Sequence, residues 1–154
     1  MKPLCRPCDL SATPFIAFVV WFLFVCHATA QTPEHYRGRL SRLPVDYSST
    51  NLITGQGVVQ ASLLQNELRV SVKFEGISSE ITSIHVHRAS KGLRGPIEFI
   101  LDFPSIAGTY GTFITSVLLT EEQILDLRSE RHYLQIHTKR NPAGELRGWL
   151  LPQT

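Results

Sequence analysis

Between Leu68 and Glu75 the chain reads LRVSVKFE, with Leu68, Val70, Val72 and Phe74 alternating strictly with Arg69, Ser71, Lys73 and Glu75. A helix cannot bury that set, because its side chains repeat every 3.6 residues; a strand with one face in a core buries all four. Gly57–Leu64 (GVVQASLL) places Val59, Ala61 and Leu63 on one face. The two runs meet across Gln65-Asn66, a two-residue hairpin turn in which Asn66 is expected to take the positive φ. Ile81–His87 is a third strand, and 96–103 and 112–119 continue the pattern. Residues 36–43 add a strand at the start, and 132–138 and 145–151 close the chain. Thr120-Glu121-Glu122-Gln123 has the form of a capping box opening a two-turn helix over 121–128, with Ile124 and Leu127 on its apolar side. The expected fold is therefore all-β: a single antiparallel, Greek-key-like β-sandwich of about eight strands with one short helix.

The first thirty residues belong to a different kind of segment. Lys2 and Arg6 precede an unbroken apolar run, Phe15–Val25, and His27-Ala28-Thr29-Ala30 ends in an A-x-A pattern. That is the layout of a secretory signal peptide over 1–30, with cleavage expected between Ala30 and Gln31. Eleven apolar residues fall well short of the roughly 20 that a membrane-spanning helix needs, which disfavours a retained anchor. Val25 stands where a lipoprotein signal wants a small residue. The mature domain, 31–154, is then expected to be secreted, monomeric and without a membrane element.

Cys5, Cys8 and Cys26 all precede Gln31. A mature extracellular domain would thus have no disulfide and must be held by its core alone. Of 15 Lys and Arg and 13 Asp and Glu, only Lys2, Arg6 and Asp9 lie in the leading segment. The rest is close to neutral, which gives nucleic-acid binding no support. No G-x-S-x-G or comparable nucleophile motif occurs, so hydrolase chemistry has no basis either.

The residues with chemical potential are histidines. His85 and His87 are two apart in a strand and point the same way, opposite Ile84 and Val86. His137 lies near the end of YLQIHT. Sharing a face between Leu134 and Ile136 on one strand and Leu146 and Leu150 on the next requires Ile136 to oppose Leu146. The other face then carries Tyr133, Gln135, His137, Glu145, Arg147 and Trp149. Three imidazoles on outward sheet faces are either solvated side chains or a candidate site for copper or zinc, with Glu145 and Arg147 behind it. Whether the two histidine strands are neighbours does not follow from periodicity. Arg88, Lys91 and Arg94 follow one of them, and Lys139 and Arg140 the other. These five form either a solvated pair of loops or a basic rim for a sulfated glycan, a phosphate or an acidic protein.

At Gly55-Gln56-Gly57, at the H-x-H with its downstream Gly95-Pro96, at Leu119–Leu127 (LTEEQILDL) and above all at YLQIHT…NPAGELRGWL, the chain resembles the CHRD domain, the module first recognised as repeats in the growth-factor antagonist chordin. The resemblance runs from Tyr36 to Leu151 and departs from the family where Arg88-Ala89, rather than Gly-Pro, follows the H-x-H. It implies a β-sandwich and an extracellular binding module for a protein or matrix partner. More distantly, His85-Val86-His87 looks like the H-V-H strand carrying two copper ligands in Cu,Zn superoxide dismutases. His137 looks like that family's later copper ligand, and Arg147 falls near its anion-guiding arginine. The bridging histidine, the zinc-ligand loop and the disulfide of those enzymes have no counterpart here. The expectation is a non-enzymatic module whose His85, His87 and His137 hold copper or zinc, with copper preferred because imidazole-rich sites bind it most tightly among divalent first-row ions. The alternatives are a metal-free partner-recognition module and, further off, a dismutase-like redox enzyme.

Overall fold

The computed structural model describes residues 31–43 and 52–153; the signal segment expected over 1–30 lies outside these residues. The described strands are β1 (Glu34–Arg42), β2 (Gln56–Leu64), β3 (Glu67–Glu75), β4 (Ile81–Arg88), β5 (Ile97–Ile100), β6 (Gly111–Leu118), β7 (His132–Thr138), β8 (Leu146–Trp149) and β9 (Leu151–Pro152). One helix, α1 (Glu121–Arg128), stands between β6 and β7. Every described pairing is antiparallel. The strands follow one curled path, β5-β4-β7-β8-β1-β2-β3-β6, with β9 paired to β1. The path folds over at a short seam where Ser41 and Arg42 of β1 meet Arg147 and Leu146 of β8. Two layers result, β9-β1-β2-β3-β6 and β5-β4-β7-β8, with the core between them.

The alternation in the sequence fixes which side of each layer is dry. Leu68, Val70, Val72 and Phe74 of β3 are buried against Leu40, Val59, Ala61 and Leu63 of its own layer. From the other layer come Ile84, Val86, Leu134, Ile136 and Leu146. Phe99 of the short edge strand β5 is only partly buried, because β5 has a neighbour, β4, on one side alone. The β2–β3 turn is as short as expected, but Gln65 rather than Asn66 takes the positive φ (57°). A two-residue turn with a positive angle at its first position alone follows the II′ pattern, whose twist suits a hairpin. The capping box forms as read: Thr120 Oγ1 accepts from the Gln123 amide, and Gln123 Oε1 accepts from the Thr120 amide.

The loops at one end are gathered by a single buried carboxylate. Glu145, completely inaccessible to solvent, accepts from the Ser78 amide (2.6 Å) and the Thr54 amide (3.3 Å) through Oε1. Its Oε2 accepts from Ser78 Oγ (2.7 Å) and Thr138 Oγ1 (2.6 Å). The loop before β2, the β3–β4 loop and the end of β7 thus converge on one side chain. Asn141 adds to this knot, donating through Nδ2 to the Leu52 carbonyl (2.9 Å) and Ser78 Oγ (2.8 Å). A buried carboxylate survives only when such donors replace its water.

Glu145→Ala should therefore cost about 3 kcal/mol or more in urea unfolding, because it strands several buried donors at once. Phe74→Ala, at a site 1% exposed, should cost about 3–5 kcal/mol by the same measurement. A loss below about 1 kcal/mol at either site would show that the residue does not act as described.

Candidate metal centre

Strands β4 and β7 are neighbours, which periodicity left open. Their register sets Ser83 opposite His137, His85 opposite Gln135 and His87 opposite Tyr133. His137 is therefore the diagonal neighbour of His85 on the face turned away from the core, and diagonal side chains on one sheet face are within reach of each other. The ring centroids of His85 and His137 are 4.4 Å apart, those of His85 and His87 5.9 Å, and those of His87 and His137 6.4 Å. One ring nitrogen from each histidine can be chosen so that all three lie within 4.8 Å of one another. The face is outward, as the alternation requires, yet it is not open. His87 and His137 are buried and His85 is half-buried, because the loops after β4 and β7 fold over them.

Those loops also decide which nitrogens are free. His137 Nδ1 lies 2.9 Å from the Pro142 carbonyl and His87 Nδ1 lies 3.0 Å from the Gly95 carbonyl. A carbonyl only accepts, so each Nδ1 carries the proton and each Nε2 keeps a lone pair. His87 Nε2 and His85 Nδ1 are buried with no hydrogen-bond partner, although a buried ring nitrogen without one is costly. His137 Nε2 has a single long contact, 3.3 Å, with the side-chain amide of Gln135. The unpartnered nitrogens are therefore Nδ1 of His85 and Nε2 of His87, while His137 Nε2 accepts one long hydrogen bond from Gln135 Nε2. Three convergent neutral imidazole donors, two of them anchored through the opposite nitrogen by backbone carbonyls, are what a transition metal requires of a protein. Two metal–nitrogen bonds of about 2.1 Å span less than 4.8 Å, so the rings would draw together on loading.

Glycine conformations make both carbonyl contacts. A Cβ on Gly95 would lie 1.8 Å from the Arg88 carbonyl oxygen, so only glycine brings this loop down on His87. Gly144 has φ +117°, and a Cβ there would lie 2.3 Å from the Gln135 amide nitrogen. Behind the histidines, Gln135 Oε1 accepts from Arg147 Nε (3.3 Å) and Nη2 (3.1 Å), and Gln135 Nε2 donates to the Ala143 carbonyl (3.0 Å). Arg147 reaches His137 through this amide. Tyr133 stacks on His87, with rings 4.8 Å apart and 2° from parallel, and the Arg147 guanidinium carbon lies 4.6 Å from the Tyr133 ring centre. Gln135, Tyr133, Gly95 and Pro142 were not singled out as site residues. Gln135 and Tyr133 share the outward phase of His137, which was the available signal; a backbone carbonyl leaves none.

The remaining expected site residues are placed differently. Glu145 does not stand behind the histidines: its carboxylate serves Ser78, Thr54 and Thr138. Gly144 turns the chain just before it and β8 begins only at Leu146, so Glu145 is not held to the outward phase of that strand. The five-residue basic rim is largely neutralised. Arg88 pairs with Glu98 (3.4 Å), Glu122 (2.8 Å) and Asp126 (3.2 Å), while Lys91 pairs with Glu130 and Lys139 with Glu80. Arg94 and Arg140 remain exposed, and no ion pair involves them among the described residues.

Comparison with known proteins now places the chain. The CHRD domain model matches residues 41–150, and the chain belongs to that family. The comparisons with curated proteins and with solved structures gave no match. All three histidines, Gly95, Gln135 and Arg147 fall inside the matched stretch.

The imidazoles make stability depend on acidity in a definite direction. Burial pushes His85 and His87 below the usual histidine range; at His85 the neighbouring His137 and His87 add to this, and at His87 the Gly95 carbonyl opposes it. His132, fully buried on the other face of β7 with both ring nitrogens unpartnered, is lowered mainly by burial too. A histidine whose folded pKa is depressed is neutral in the native state and takes a proton on unfolding. Its contribution is complete above the unfolded value of about 6.5 and is lost as pH falls below it. The urea midpoint of metal-free protein should therefore drop between pH 7.5 and 5, and drop less in His132→Leu. A midpoint that rises toward pH 5 would contradict the burial described.

Proposed function

We propose that this CHRD module is extracellular and non-enzymatic, and that it holds one transition-metal ion, copper or zinc, through His85, His87 and His137. The observation that carries the reading is the pair of buried, unpartnered nitrogens, His85 Nδ1 and His87 Nε2, beside His137 Nε2. One cation among the three rings would meet both of these nitrogens, whereas the unpartnered nitrogens of His132 lie on the other face of β7, outside the cluster. Three protein ligands leave at least one coordination position for water or another donor. Arg147 and Gln135 stand close behind, and together they hold the His137 ring against the Ala143–Pro142 turn. Among the described residues no Asp, Glu or Cys joins the cluster. Secretion supports copper or zinc as the resident ion and rests on the leader-like sequence of residues 1–30.

Protein purified without a histidine tag and loaded with copper or zinc should retain one ion per chain after gel filtration. His85→Ala/His87→Ala should retain none, and the ion should leave the wild type on acidification as the imidazoles protonate. Failure to retain either ion above background after loading would defeat the proposal and leave partner recognition as the function.

A further inference from the structure

The outward face of the other layer carries a charge pattern that neither the histidines nor the core explains. Outward positions on β1 include Arg37 and Arg39, and those on β3 include Arg69 and Lys73; all four are exposed. The register joins them across β2: Arg37 neighbours Gln60, which neighbours Ser71, and Arg39 neighbours Val58, which neighbours Lys73. Arg37 and Arg39 are thus about 7 Å apart along one strand, and Arg39 and Lys73 are separated by two strand spacings, about 10 Å. Arg69 lies about 13 Å along β3 from Lys73.

Elsewhere Arg88, Lys91, Arg128, Arg131 and Lys139 are each tied to a carboxylate, whereas among the described residues none of these four is. The outward carboxylates of this face, Glu67 and Glu75, sit at the two ends of β3, and Glu75 is engaged by the Gln56 amide at 2.7 Å. The surface is also hollowed. A depression of about 600 Å³ is lined by Arg37, Arg39, Lys73 and, at one end, Glu75, and a second of about 380 Å³ by Arg37, Arg69, Gln60, Ser62 and Ser71. Both share Arg37 and Gln153, so they form one trough with cations along its length.

We propose that this trough binds a linear sulfated polysaccharide. Separated cations suit a chain bearing repeated anionic groups better than a single small anion, since each is placed to meet a different group. The amides and hydroxyls of Gln60, Ser62, Ser71 and Gln153 suit sugar oxygens between the sulfates. No Phe, Tyr or Trp occupies an outward position of β1, β2 or β3, so the stacking platform that single-stranded nucleic acid uses is missing from this face. Large apolar side chains on this face are Val58, Leu64, Leu151 and, on the edge strand β6, Ile114 and Leu118, which lie outside the lining of either depression. The site lies on the layer that does not carry the histidines and does not depend on a metal.

The test is retention of the full exported chain on immobilised heparin at about 0.15 M salt, in the presence of a chelator that keeps the histidines metal-free. Arg37→Gln/Arg39→Gln/Lys73→Gln should bind about tenfold more weakly or worse, with its thermal midpoint unchanged. Arg94→Gln/Lys139→Gln/Arg140→Gln removes the same charge from the loops beside the histidines and should bind as the wild type does. Arg37→Lys/Arg39→Lys should recover most of the retention, which misfolding of the glutamine variant would not allow. Equal losses in the two charge-matched triple variants would overturn the proposal, as would an unaffected face variant. Equally tight binding to desulfated heparin, to single-stranded DNA or to phosphatidylserine vesicles would overturn it too.

Discussion

The burial of one carboxylate organises the end of this molecule where the chemistry lies. Glu145 has no water left, and four donors from three separated stretches replace it. Exchanging water for these donors is favourable only if all are in place at once, so the loop before β2, the β3–β4 loop and the end of β7 are fixed relative to one another. The turn before Glu145 is held by the same knot. Asn141 is tied to Leu52 and Ser78, the Pro142 carbonyl meets His137, the Ala143 carbonyl meets Gln135, and Gly144 makes the approach sterically possible. The segment NPAGE therefore works as one clamp, and the tautomer of His137 is a consequence of it.

His87 is held by a second, independent clamp. Gly95 approaches the Arg88 carbonyl too closely for any side chain, and this places its own carbonyl on His87 Nδ1 and its amide 3.2 Å from the Tyr133 hydroxyl. Arg88, with three carboxylates around its guanidinium, joins the β4 end to α1 and β5. Its ion pairs are partly exposed and are each worth little in isolation, but a network around one planar guanidinium fixes geometry as well as charge. His85 alone has no anchoring carbonyl, and it is the histidine with most freedom to adjust to an ion.

Much of this was legible in the sequence. The β2 and β3 runs, the capping box of α1 and the pairing of Ile136 with Leu146 all follow from periodicity and end signals. The three histidines were legible because H-x-H and a shared strand phase survive any register that keeps the core dry. Other features depend on which strands lie side by side, and no local pattern encodes that. The basic trough joins Arg37 and Arg39 to Arg69 and Lys73 only through the β1–β2–β3 register. Arg88 pairs with Glu98, close by in sequence, but its partner Glu122 and the partners of Lys91 and Lys139 lie 34, 39 and 59 residues away and are brought close only by the packing of elements. Glu145 was misplaced because strand phase was extended one residue too far, past the point where Gly144 redirects the chain.

The central claim is that the fold fixes His87 and His137 as Nδ1–H tautomers, with Nε2 of each left to serve as a ligand, before any ion arrives. Long-range 15N–1H correlation spectra of the metal-free protein near pH 7.5 read the tautomer of each ring directly. The account predicts that His87 and His137 are held as Nδ1–H tautomers. His87 and His137 found as Nε2–H, or all three rings exchanging freely between tautomers, would contradict it.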